Sequence, residues 1–390
     1  MNEDRAARYH KRRRRAALAG VAWSAALLLA LVLTPGSIRL RETAHAAAAA
    51  LSVPPWALPS ITVAIYVALL GIVHESGSLA VAAYGWLLDR RYDLAVDRPG
   101  RWLLDQVKGL AAGAALGLPT FCGLYLAIER WPAGWWLPAG IAFALLATVM
   151  ARLAPVVLLP LFFRFRPLER PELRQRLIDL CRRAGVPAID ACVWQVSDRT
   201  RRANAALTGL GRTRRILVSD TLLAHANDEE IEAVLAHEIA HHVRADIWRG
   251  IALESVVALG AFYLASLVLG RAWQPLGWAG VADVAGLPAL LLVAGVLSAV
   301  LLPLANAYSR HLEWTADRFA IQLTGNPRAF ATAMQRLAVL NLAEVEPSRL
   351  ALWLFHSHPP VASRIAAARE APTTPVGRRR APRRWWFRPR

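Results

Sequence analysis

The chain has 390 residues, more than one ordinary globular domain holds, and 56% of them are hydrophobic, a share above that of soluble proteins. A net charge of +18 would suit a nucleic-acid binder, but the 46 Lys and Arg gather at the two termini and in loops between apolar runs, not on one face. That is how membrane topology is written, and it excludes nucleic acid as the expected partner.

Six apolar segments approach the roughly 20 residues that a helix needs to cross a bilayer: 16–34, 61–88, 103–128, 136–163, 250–270 and 284–305. The first follows a basic stretch, and AHA at 44–46 resembles a signal-peptidase site. Its apolar run is too long and those small residues come too late, so it reads as an uncleaved anchor. The N-terminus, 89–101, 164–249 and the C-terminal part are rich in Arg, whereas the intervening loops hold only Arg39 and Arg41, Arg130, and Arg271. This alternation predicts six spans with both termini and the long polar segment in the cytoplasm. Trp131, Trp135, Trp136, Trp273 and Trp278 beside the Arg-poor loops read as interfacial belts, and His74, Glu75, Arg152 and Glu254 stand out as ionisable residues inside spans. Cys122, Cys181 and Cys192 are odd in number and lack CxxC spacing, so neither a disulfide framework nor a thiolate metal site is expected.

In the polar region, 171–185 has helical periodicity with Gly185 as its stop. Residues 191–196 and 214–220 read as strands around a glycine-bearing hairpin turn in NAALTGLGRT. Either this is a generic α+β insert or one of its edges grips an extended peptide.

NDEEIEAVLAHEIAHHVRAD (227–246) begins with Asn227 or Asp228 as N-cap, places acids in the first turn and continues as a helix directly into the fifth span. His237 and His241 lie about 40° apart on one helix face, so both imidazoles can converge on one ion. Glu238 lies about 60° beyond His241, close enough to take a proton from a water that the ion polarises without itself filling the ligand shell. His242 points further away and is expected to support or to be exposed. In the helix 306–324, Glu313 and Asp317 share a face at i, i+4. Glu313 completes a two-His, one-Glu set with an open fourth position, the catalytic pattern for zinc, and Asp317 is placed to accept the N–H on the far side of a ligand histidine.

HEIAH, SRHLEWTAD and HSHPPVASRI (356–365), together with NAALTGLGRTRRILVSDTLL, DRRYDLAVDRPGRWLLDQVKG and APVVLLPLFFRFRPL, resemble the integral-membrane zinc metalloproteases that include type I CAAX prenyl endopeptidases and HtpX-type proteases. The resemblance spans roughly residues 60–370. It implies an α-helical multi-span membrane protein with an embedded zincin-like α+β catalytic domain on the HExxH helix, and one Zn²⁺ per chain. His237, His241 and Glu313 would be its ligands and Glu238 the general base. It further implies that the strand at Asn204, Ala205 and Ala206 pairs with substrate backbone, that His358 donates to the developing oxyanion, and that Arg364 is a supporting or substrate-contacting charge. The eukaryotic members have seven spans, whereas six are counted here.

Residues 1–163 are thus expected to form a membrane region with about four spans, 164–370 a peptidase domain interrupted by two, and 371–390 a basic tail suited to anionic lipid. Of the 46 basic residues 44 are Arg, in an Ala-rich chain, a composition that points to a bacterial inner membrane, and the resemblance implies a membrane-associated protein or peptide substrate. Two other classes compete: an inactive scaffold that uses zinc structurally, and a transporter, which should show internal repeats that the sequence lacks.

Overall fold

The computed structural model describes residues 2–209 and 214–372. The turn residues 210–213 and most of the basic tail lie outside them. Four helices long and apolar enough to cross a membrane precede the polar region. These are α1 (Asn2–Leu33), α3 (Leu58–Arg91), α4 (Pro99–Arg130), and α5 (Trp136–Leu153), which continues through a π-turn at Ala154–Leu158 into α6 (Leu159–Phe162). Between the first two lies α2 (Gly36–Ala50), which the hydropathy pattern does not announce. At 15 residues it is too short to span. Instead Ala44 and Ala48 are fully buried, Ser37 donates to Ala285 O and pairs with the Tyr66 hydroxyl, and Arg41 meets Asp283. Two later helices complete the set of six candidate spans: α10 (Asp246–Ala272) and α11 (Leu287–Thr324).

Each span packs on the next in the order α1, α3, α4, α5, α10, α11, and α11 returns to α1, closing a ring. Large apolar side chains such as Val256 and Val300 remain about two-thirds exposed, the surface that lipid covers.

The polar region is built on a four-stranded sheet: β1 (Arg164–Pro167), β2 (Asp190–Gln195), β3 (Ala205–Thr208) and β4 (Arg215–Ser219), in spatial order β1-β2-β4-β3. The two strands expected to form a hairpin are instead parallel neighbours, with Ala191 opposite Ile216. The hairpin is β3–β4, antiparallel, with Ala206 opposite Leu217. The segment read as a turn is therefore itself an edge strand, because Ala205 and Leu207 alternate inward onto the core while the glycines follow them. Against the inner face pack α7 (Pro171–Arg183), α8 (Asp220–His225) and α9 (Asp228–Val243), with α12 (Pro327–Leu340), α13 (Arg349–Phe355) and α14 (Val361–Glu370) closing the unit. Leu177, Leu180, Ile216, Ile231, Leu235 and Phe330 are fully buried there.

Helix α9 does not run directly into the fifth span. Ala245 adopts a left-handed conformation, φ 56°, between α9 and α10. A non-glycine residue held there costs about 1–3 kcal/mol and persists only where its surroundings impose it; here the break swings Asp246 back towards the histidines of α9.

Candidate active site

Helix α9 starts firmly. Asn227 accepts from Glu230 N at 2.9 Å, Glu230 accepts from Asn227 N at 3.0 Å, and Arg336 braces the same carboxylate. The buried face of α9 then carries His237 into contact with the far end of α11, which extends well past its apolar stretch and so brings Glu313 to the same point. His237 Nε2 lies 3.4 Å from His241 Nε2 and 3.2 Å from Glu313 Oε2, and His241 Nε2 lies 3.4 Å from Glu313 Oε1. A cation holding three donors tetrahedrally at about 2.0–2.1 Å keeps them about 3.3–3.4 Å apart. The donor set therefore fits such an ion.

The far nitrogens are engaged as well. His237 Nδ1 is 2.9 Å from Asp317 Oδ1, and His241 Nδ1 is 3.0 Å from Asp246 Oδ2, so each imidazole is oriented by a carboxylate and turns Nε2 to the common centre. Asp317 is in turn held by the buried Arg364, with Nε at 2.8 Å and Nη2 at 2.5 Å in a two-pronged contact. Arg364 thus supports a histidine.

Electrostatics favour a cation at this centre. Glu238, Asp246, Glu313 and Asp317 bring four carboxylates together around the two imidazoles, with Arg364 the buried guanidinium among them. Burial opposes a charge on His237, yet the hydrogen bonds to Asp317 and Glu313 outweigh it and the imidazole is pushed up. His241 is pushed up to about 10, burial again being overcome by Asp246 and Glu313. Glu313 Oε2 is buried, lies 2.8 Å from His358 Nδ1 in poor alignment, and has no well-formed hydrogen bond among the described residues. Among those residues nothing hydrogen-bonds to the Glu238 carboxylate, and burial pushes its proton affinity up against the pull of both histidines. It is a free, proton-hungry group beside the donor set.

The edge strand stands next to this centre. Ser219 N donates to Asn204 O at 2.9 Å, and alternation along an antiparallel ladder then commits Ala206 to Leu217 and turns the N–H and C=O of Ala205 and Leu207 to the free side. The side chain of Asn341 holds both Ala203 N and Ala203 O, at 2.8 and 3.1 Å. Of the three residues expected to pair with substrate, only Ala205 offers its backbone to the open edge. His242, expected to support or to be exposed, donates from Nε2 to Leu207 O at 2.6 Å and ties the edge to the HExxH helix.

Asp246 and Asn341 were not legible as residues beside the centre and its edge strand. Asn341 acts through the backbone of Ala203, distant in the chain; for Asp246 the only sequence signal was an acid five residues after His241. Replacing Asp246 with Asn should lower metal affinity about 10–100-fold while leaving the secondary structure intact, measured by competition with a chromophoric chelator. An unchanged affinity would mean that His241 is oriented by something else.

Comparison with known proteins follows the same division. The sequence profile of Peptidase family M48 matches residues 167–372, and that described as "CAAX prenyl protease N-terminal, five membrane helices" matches residues 2–164. That stretch holds α1 to α5, four of them long enough to cross a membrane. The chain is 31% identical to the uncharacterized metalloprotease YhfN of Bacillus subtilis (strain 168), over 80% of this chain and 74% of that one. It is 25% identical to a CAAX prenyl protease 1 homolog of Caenorhabditis elegans, over 79% and 76%. The crystal structure of S. mikatae Ste24p has the same fold, with a TM-score of 0.81 at 22% identity, covering 94% of this chain and 88% of that one. With an HExxH helix, a carboxylate as third ligand candidate and a ring of apolar helices all in one chain, this protein belongs to peptidase family M48, on its CAAX prenyl protease-like membrane branch, and is an integral-membrane metalloprotease.

Proposed function

We propose that the protein is a zinc endopeptidase that cuts membrane-associated or apolar-tailed proteins, with one Zn²⁺ per chain held by His237, His241 and Glu313. The observation that carries this reading is the convergence of those three donors at 3.2–3.4 Å beside a Glu238 carboxylate that no described residue hydrogen-bonds. Zinc at such a site supplies Lewis acidity, lowering the pKa of a water towards about 7 and polarising a carbonyl. Glu238 takes the proton from the attacking water and passes it to the leaving amine. Ala205 holds the substrate backbone by strand addition, with Asn204 and Ala206 shaping the same edge. His358, 63% exposed at the rim, donates to the oxyanion. Asp317 and Arg364 keep His237 in the ligating tautomer.

The substrate class is supported by an apolar cavity of about 740 Å³ between α10, α11 and α5, lined by Phe143, Leu253, Phe262, Leu301 and Tyr308. Tyr308 lies five residues, or roughly 8 Å of helix, before Glu313, so an apolar tail there and a scissile bond at the metal are within one substrate's reach. In this reading residues 1–163 are the membrane region and 164–370 the peptidase unit. The Arg distribution supports a bacterial inner membrane with both termini and the active site facing the cytoplasm. The test is proteolysis of a membrane-anchored reporter peptide by the full chain in proteoliposomes. Chelation should abolish cleavage and Zn²⁺ restore it, whereas cleavage that persists after measured removal of metal would overturn the proposal.

A further inference from the structure

Where α4 begins and α6 ends, on the side of the membrane that carries the sheet, lies an open pocket of about 480 Å³ away from the metal centre. Its charged lining is Arg101, Lys108, Arg164 and Arg199 against one carboxylate, Asp105. Arg199 reaches in from the loop after β2, pairs with Asp105 and donates to Phe162 O. Arg101 is taken by Asp198 at 2.6 Å. Lys108 and Arg164 have no acidic partner among the described residues; the ammonium of Lys108 meets only the carbonyl of Leu161, at 3.2 Å. Arg199 Nε and Asp105 Oδ1 are both buried without a partner. The remaining wall is apolar, with Leu104, Leu161, Phe162 and Phe163, and on the same turns of α4 Leu103, Leu104 and Val107 are each about half exposed.

We infer that this pocket is a binding site for the headgroup of an anionic phospholipid of the leaflet on the catalytic side. Two observations converge. Two cations have no acidic partner among the described residues: Arg164 follows α6 closely, and the Lys108 ammonium reaches the last turn of α6 at Leu161 O. Leu103, Leu104 and Val107, on the same turns of α4 as these cations, offer acyl chains a surface, which a free phosphate would not use. A basic pocket between membrane helices that is walled by apolar residues is the arrangement that holds anionic lipid headgroups. The metalloprotease chemistry neither requires nor uses these residues.

The test uses the full-length chain, delipidated in neutral detergent and titrated with phosphatidylglycerol or phosphatidylcholine, with retained lipid counted by native mass spectrometry. The parent should retain phosphatidylglycerol in preference to phosphatidylcholine. The Lys108→Gln, Arg164→Gln double variant should weaken that retention roughly ten- to thirty-fold, while an Arg349→Gln, Arg369→Gln pair elsewhere on the surface should not. Either single substitution should give an intermediate loss, and serves if the double variant does not fold. Retention equal to that of the parent in the variants would overturn the inference. So would an equal loss in the control pair, which would mark non-specific attraction, or full displacement by millimolar inorganic phosphate, which would mark a small-anion site.

Discussion

Replacing Glu238 with Gln will leave the metal content of the protein unchanged and lower kcat by about 10²–10⁴, the share that a positioned general base contributes. The expectation rests on separable observations. The donor atoms of His237, His241 and Glu313 already meet at ligand spacing without Glu238, so the substitution removes no ligand. Gln is nearly isosteric with Glu but cannot accept a proton from water at neutral pH, so what disappears is the proton transfer. Because no described residue hydrogen-bonds to the Glu238 carboxylate, the exchange leaves no structural partner orphaned and stability should stay within about 0.5 kcal/mol. Metal analysis alongside single-turnover cleavage checks both halves. A variant that cleaves at the parental rate would show that the base lies elsewhere, and one that loses its metal would show that Glu238 belongs to the ligand shell.

Replacing Arg364 with Leu should have the second large effect, on stability and metal affinity together. Arg364 is buried and commits two nitrogens to Asp317, so its removal strands a buried carboxylate, at a cost of about 3–5 kcal/mol. The loss should appear as a lowered unfolding temperature and weaker metal retention, since Asp317 is what orients His237. The double variant Arg364→Leu, Asp317→Leu separates the two consequences. Removing both charges relieves the stranded carboxylate and should recover much of the stability, whereas His237 stays unoriented and metal affinity remains about 10–100-fold down. If affinity recovered along with stability, the Asp317 contact with His237 would be dispensable.

Much of the molecule can be read from local pattern. The six spans follow from apolar runs long enough to cross a bilayer, since backbone groups in hydrocarbon must pair within their own segment whatever the neighbours do. The HExxH face follows from helical periodicity, and Glu313 with Asp317 from the same rule applied once more. The sheet was only half legible. Residues 191–196 and 214–220 were correctly strands, but their parallel pairing and the strand hidden in the supposed turn depend on which edge is open, a question that no single segment answers.

What the sequence by itself determined is thus the class of protein and which residues of α9 and of α11 share a helix face, because hydropathy and i, i+4 spacing are properties of one helix at a time. Tertiary structure decided the rest. It decided that Asp246 would turn back on His241 through the strained Ala245, that Arg364 would hold Asp317, and that His242 would tie the edge strand. It also left Ala205 as the residue of the expected trio whose backbone groups face the open edge. These contacts join residues far apart in the chain, or adjacent residues across a break in the helix. Their partners are selected by packing, which has no period to read.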